Sequence, residues 1–232
     1  MAIDGIRTAG RAQRITQDDI VRVGRELGMR ELSVKAVAAR LGVSATALYR
    51  HVENRWHLER LVGESILAEL ELRDDPAHDP MRHLLSFALQ LRAFLLRHPG
   101  LAVYVQTLFP RGESGRRLLA AETAAMERRG YAVDAAIAVC GAVAELAIGY
   151  AATEDAQRER GDGLDEQRHV AMAEILADER LGEARRALPE VDADEYVRLW
   201  LAGSIRGLVD AAPPGRPVTE IMAALHAAGE GV

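Results

Sequence analysis

The stretch LGVSATALYRHVENR, residues 41–55, mixes small residues with a tyrosine, a histidine and two arginines. Gly42 sits where a helix has to stop, because glycine takes the left-handed backbone of a tight turn without steric cost. Ser44 follows as an N-cap whose hydroxyl can accept an otherwise orphaned backbone N–H. Ala38, four residues before Gly42, is small enough for two helices to cross closely, and Leu48 fills the angle between them. These are the requirements of a helix-turn-helix, although an ordinary helix corner would meet them too. The polar residues separate the two readings. Thr46, Tyr49, Arg50 and His51 fall on the face away from Leu48, where a helix packed on all sides would carry apolar groups.

Working outward, Thr16 is the N-cap of a first helix with Asp18 and Asp19 in its first turn, Ile20, Val23 and Leu27 as its buried stripe, and Gly28 as its end. Ser33 caps a second helix whose inward residues are Val34, Val37, Ala38 and Leu41. The third helix is predicted to run from Ser44 to about His51. Asn54 caps a fourth, which continues to about Leu72. Helices this short are unstable alone and must pack on one another. The loop RDDPAHDP, residues 73–80, marks a domain boundary. Residues 1–15 then form an N-terminal arm, 16–62 a helix-turn-helix domain, and 73–232 a larger domain.

Apolar residues recur at helical spacing almost throughout, alternating β-branched runs are nearly absent, and aromatic residues are only 4%. The fold class is all α. Beyond residue 73, long helices are expected at about 81–98, 115–129, 134–156 and 192–211, with VTEIMAALHAA as a short closing helix. FPRGESGR and DAQRERGDGLDEQR read as polar connections, the second long enough to be mobile.

Composition narrows the function. The 232 residues are 49% hydrophobic, enough to bury one or two cores. The N-terminus lacks the apolar core of a signal peptide, and no uninterrupted apolar run reaches the length of about 18 residues that a membrane span needs. A cytoplasmic, nucleoid-associated protein is the expectation. The lone Cys140 excludes an internal disulfide and a multi-cysteine zinc site. Net charge is asymmetric: residues 1–60 hold 11 Lys+Arg against 7 Asp+Glu, giving +4, and since the whole chain is −6 the remainder is −10. The basic pole coincides with the helix-turn-helix, as expected of a nucleic-acid module joined to an acidic partner domain. Ser33, Lys35, Asn54 and Arg55 stand at the starts of the second and fourth helices, where free N–H groups and the positive dipole end favour phosphate.

The segment LSVKAVAARLGVSATALYRHVENRWHL, residues 32–58, closely resembles the DNA-binding motif of the tetracycline-repressor (TetR) family. RAFLLRHPGLAVYVQTLFP and ERRGYAVDAAIAVCGAVAELAIGYA look like the fifth to eighth helices of the tetracycline-repressor branch. The resemblance implies a homodimeric repressor that binds a palindromic DNA operator and is released by a small-molecule inducer. It implies that Tyr49 and His51 touch the DNA backbone, that Arg55 replaces the usual phosphate-binding lysine, and that Ser44, Ala45, Thr46, Ala47 and Arg50 approach base edges. Ala45 and Ala47 depart from the family, where the first is often a long base-reading side chain and the second a threonine. Hydrogen-bonded readout then rests on Thr46 and Arg50.

For the larger domain the resemblance implies ligand contacts from Phe87, Leu91, Tyr104, Thr107, Leu119, Glu122 and Cys140, and a dimer interface built from the helices at 134–156 and 192–211. Tyr104 stands where tetracycline binders place a histidine that ligates the drug-bound magnesium, and Glu71 near another drug-contacting histidine, so tetracycline with its metal is not expected. Neither a metal nor another cofactor is expected. Small residues in AAIAVCGAVAELAIGYAA, and Gly203 and Gly207 four apart, support close helix approach at the interface without the resemblance. Glu122 and Glu145 lie within otherwise apolar helices, where an unpaired buried carboxylate would be costly. Glu145 is expected to be solvated or paired.

An enzyme is the main competing class, a helical protein-binding scaffold the other. There is no Gly-rich phosphate loop, no HExxH and no nucleophile elbow. Cys140 lies in a run too apolar to favour its thiolate, and His51 and His57 do not share a helical face. The chain reads as a regulator and not as an enzyme.

Overall fold

A computed structural model describes residues 15–108 and 112–230. The expected N-terminal arm lies almost entirely outside the described residues, as does the start of FPRGESGR. Every regular element among the described residues is a helix. The chain divides into two compact units, Met1–Val62 and Gly63–Val232.

In the first unit α1 (Gln17–Glu31) opens on a capping box. The Asp19 N–H donates to Thr16 Oγ1 at 3.2 Å, and the Thr16 N–H donates back to Asp19 Oδ2 at 3.1 Å. Gly28 ends the first helical run, as expected. It takes φ 74°, kinks the chain, and one more turn follows to Glu31. In α2 (Val34–Leu41) the Ser33 hydroxyl accepts the Ala36 N–H, and Gly42 at φ 67° closes the C-terminus. The Val43 N–H reaches Ala38 O at 3.0 Å and the Gly42 N–H reaches Ala39 O at 3.2 Å, the two bonds of a Schellman turn.

Helix α3 (Ala45–Leu48) is shorter than expected. Past Leu48 the chain tightens into i→i−3 bonds, Arg50 N–H to Ala47 O and His51 N–H to Leu48 O, which carry Val52 into the core. Helix α4 (Arg55–Leu67) starts with Asn54 Oδ1 accepting the His57 N–H at 2.9 Å. It crosses from the first unit into the second. Ile20, Val37, Leu48, Leu58 and Val62 are fully buried and form the first unit's centre. Gly24 lets α1 lie close to α4: a Cβ added there would stand 2.4 Å from Val62 Cγ2.

The fourth helix stops at Leu67, short of the expected Leu72. Arg117 supplies the reason, its Nη2 donating to the carbonyls of Leu67, Ala68 and Leu70 at 3.2–3.3 Å and so capping the frayed end. The second unit continues with α5 (Pro80–Leu96), α6 (Leu101–Leu108), α7 (Glu113–Glu127) and α8 (Val133–Arg160), then α9 (Asp162–Ala177), α10 (Glu179–Ala187), α11 (Ala193–Ala211) and α12 (Val218–Gly229). Helix α8 is central and packs against α5, α6, α7, α11 and α12. It is long and apolar enough to cross a membrane by length and composition, but half of its apolar window is buried against these neighbours, as in a core helix.

DAQRERGDGLDEQR is not a loop. Helix α8 runs through it to Arg160, breaks at Gly161 with φ 61°, and α9 begins at once. Its arginine, glutamine and glutamate residues are good helix formers, and Asp155 inside it is buried, accepting the Gly100 N–H at 2.7 Å. Polarity in this stretch reflects solvated helix faces.

Candidate functional site

The first unit gathers the residues singled out around Gly42 on and beside α3. Ser33 and Ser44 spend their hydroxyl oxygens as N-caps, accepting from the Ala36 and Ala47 N–H groups at 3.1 Å. Their hydroxyl protons stay available to donate. Lys35, Ser44, Ala45, Thr46 and Arg50 are exposed, whereas Ala47 and His51 are half-buried. Tyr49 is 54% exposed although Leu48 beside it is fully buried, so the single turn of α3 separates a core anchor from an outward polar edge. Arg55 is exposed but not free: its Nε lies 2.6 Å from Glu59 Oε1.

Sequence reasoning passed over Trp56, which is 55% exposed in the first turn of α4. An exposed indole between Arg55 and His57 was the signal available. His57 is engaged locally, its Nδ1 accepting the Glu53 N–H at 3.2 Å.

The second unit holds a cavity of about 80 Å³. Phe87, Leu91, Leu119, Glu122 and Cys140 line it. Tyr104 and Thr107 do not. Tyr104 is buried with its ring against Gly63, 2.3 Å from where a Cβ would stand, and Thr107 is exposed on α6. Helix α6 turns its apolar side inward through Leu101, Ala102 and Val105, so a position six residues after Leu101 faces outward. Leu67, Leu70 and Leu72, read from sequence as part of a connecting helix, form wall in their place, together with Leu118, Gly141, Ala144 and Ile148.

Glu122 is the one charged residue of this lining, and it is buried. Its partner is the fully buried His83 on α5, whose Nε2 lies 3.0 Å from Glu122 Oε2. On the other side of the ring Nδ1 lies 3.1 Å from Asp74 Oδ1 but makes no hydrogen bond. Asp74 is held by Arg129 and Arg128, each at 2.6 Å. Burial alone would raise the Asp74 pKa, but the hydrogen bonds from Arg129 and Arg128 outweigh it and bring the carboxyl down to about 2.

Burial, reinforced by the Glu122 charge, pushes the Cys140 thiol up to about 12, which leaves it a poor nucleophile. Glu145 is exposed. Among the described residues no cluster of three or more His, Cys, Asp or Glu side chains could hold a metal ion.

The fold has counterparts among solved structures. The TetR-family protein ActR of Streptomyces coelicolor, in complex with actinorhodin, matches with a TM-score of 0.72 at 22% identity, over 87% of this chain and 99% of that one. The chain has the TetR-family fold. The same TetR-family fold is matched by a TetR variant of Acinetobacter baumannii in complex with minocycline, with a TM-score of 0.60 at 20% identity over 84% of this chain and 96% of that one. By sequence, an HTH-type transcriptional regulator of Saccharopolyspora erythraea is 30% identical over 155 residues. That match covers 64% of this chain and 64% of the relative's length. No protein-family model matches the chain.

Proposed function

We propose that this protein is a TetR-family transcriptional regulator, and not an enzyme, which binds a palindromic operator as a homodimer and represses until a small molecule releases it. The observation that carries the reading is the Schellman-terminated turn at Gly42, which buries Leu48 while Thr46, Tyr49 and Arg50 stay outward on a basic unit, in a chain that also holds a cavity. In this reading α3 enters the major groove, Thr46 and Arg50 read bases, and Ser33, Lys35, Ser44, Tyr49, His51 and Arg55 hold phosphates. Ala45 and Ala47 offer only methyl contacts.

The dimer would form through α8 and α11. Tyr196, Leu199 and Trp200 are more than half exposed on α11, and nothing lies within 4 Å of a Cβ built on Gly203 or Gly207. At spacings of three, four and seven these positions share one face. Val133 and Ile137 add exposed apolar surface on α8. Two copies would set their third helices roughly 34–36 Å apart, in successive major grooves. Ligand in the cavity would favour a conformer that no longer fits, a coupling of about 1–3 kcal/mol.

Selection of genomic fragments bound by the purified full-length protein at low salt, followed by titration with salt, tests the reading. Enrichment of palindromes with a steep salt dependence supports it. Failure to bind any palindrome beside its own gene ends it.

A further inference from the structure

The wall of the cavity presents only apolar atoms. Glu122 lines it with its hydrocarbon stem, while its carboxylate is directed to His83, whose Nε2 lies 3.0 Å from Oε2. Cys140 adds a thiol that burial keeps protonated, in effect a small hydrophobe. Tyr104 and Thr107, whose hydroxyls could have served a polar guest, lie outside the wall. A polar guest would therefore give up its hydrogen bonds to water and find none in exchange. Water itself lacks the polar partners that would hold it there. A hydrocarbon loses nothing of the kind, and it supplies the dispersion contacts that a dry void denies to the wall.

On α8 the wall is made of small residues and one isoleucine. Gly141, Ala144 and Ile148 stand three and four apart on one face, and nothing lies within 4 Å of a Cβ built on Gly141. The volume of about 80 Å³ is roughly half that of a cavity of about 150 Å³ known to admit benzene, which suits about three or four carbon atoms.

We infer that the cavity takes a short, uncharged hydrocarbon of about three or four carbon atoms and excludes a guest that brings an O–H, an N–H or a charge inside the wall. This rests on reading the cavity as the ligand site.

The test uses xenon NMR on the full-length protein, with butane, 1-propanol and propylamine, which have equal heavy-atom counts, as competitors. The shift that the protein imposes on xenon should be reversed by butane at a concentration about tenfold or more below that needed for 1-propanol, and least readily by propylamine. Ala144→Leu fills the space and should abolish the xenon shift, with circular dichroism reporting whether the helices are intact. Leu119→Ala enlarges the space instead, so benzene should enter the variant and not the parent. That second variant keeps the site testable if Ala144→Leu folds poorly.

1-Propanol competing as well as butane, with Ala144→Leu still removing the xenon shift, overturns the apolar requirement but leaves the cavity as a ligand site. Benzene entering the parent as readily as Leu119→Ala overturns the size limit. Xenon left unshifted by the protein, or a shift indifferent to both substitutions, removes the ligand-site reading and this inference together.

Discussion

The guanidinium of Arg92 grips Glu154 in a fork, Nε to Oε1 at 2.7 Å and Nη2 to Oε2 at 2.5 Å, and the same Nη2 reaches Asp194 Oδ1 at 2.6 Å. One side chain on α5 thus ties α8 to α11, the helices proposed to form the dimer. Arg92 and Glu154 are largely buried, whereas Asp194 is mostly exposed. Removing the arginine strands Glu154 in a partly dry site, and Asp194 simply returns to water. Arg92→Met should therefore destabilise the protein by about 2–4 kcal/mol in a urea titration, and Arg92→Met with Glu154→Gln by clearly less. A single-variant cost under about 1 kcal/mol would show that the fork contributes no more than a surface pair.

The tight α1–α4 crossing gives a prediction of sign. A glycine replaced by alanine inside a helix normally gains up to about 1 kcal/mol. At Gly24 the new Cβ would stand 2.4 Å from Val62 Cγ2, and Val62 is fully buried and β-branched, with little freedom to rotate away. Overpacking of this kind costs about 1–3 kcal/mol, so Gly24→Ala should lower stability overall. A rise in the urea midpoint would contradict the packing described.

The proposed DNA contacts divide by role. Tyr49→Ala should weaken binding to every sequence about equally, and Arg55→Ala should in addition lower the slope of log affinity against log salt by about one. Arg50→Ala should cost about 1–3 kcal/mol and relax base preference. Since Glu59 engages Arg55 at 2.6 Å, Glu59→Gln should release the arginine and strengthen non-specific binding. Fluorescence anisotropy on operator and scrambled duplexes separates these outcomes, and equal relaxation of preference by all the variants would sink the assignments.

The proposed dimer is tested at α11. Leu199→Glu places a charge among Tyr196, Trp200 and the open faces of Gly203 and Gly207, on surface that is exposed in the single chain. It should leave the fold of the monomer intact by circular dichroism and shift sedimentation from dimer to monomer. An unchanged sedimentation coefficient would move the interface elsewhere.

Asp74 predicts an acid limb. Its folded pKa is about 2, below the ordinary 3.8, because Arg129 and Arg128 outweigh the effect of burial. The stabilisation is therefore complete above about pH 4 and is lost as pH falls through about 2, where the folded carboxyl protonates. Asp74→Asn should flatten stability against pH across that window and lower it at neutral pH. A parallel acid limb in the variant would assign the titration to another group.

What the sequence by itself determined was local. Thr16, Ser33, Ser44 and Asn54 cap their helices through bonds to the third residue onward, and Gly42 closes α2 through bonds reaching no further than Ala38. Those interactions lie within one or two turns, so spacing alone specifies them, and the outward polar edge of α3 follows once Leu48 is fixed inward. Tertiary structure decided whatever depends on partners far apart in the chain. Arg117 ends α4 from 47 to 50 residues away, His83 pairs with Glu122 across 39, and Arg92 with Asp194 across 102. Nothing in the pattern around Glu122 could name His83, and nothing in the polarity of DAQRERGDGLDEQR could reveal the bond from Gly100 to Asp155 that helps anchor α8 there. The cavity follows the same rule. Phe87, Leu91, Leu119, Glu122 and Cys140 meet there from α5, α7 and α8, while Tyr104 packs on Gly63 and Thr107 faces outward on α6, an arrangement that the packing of α6 against α8 and α5 sets.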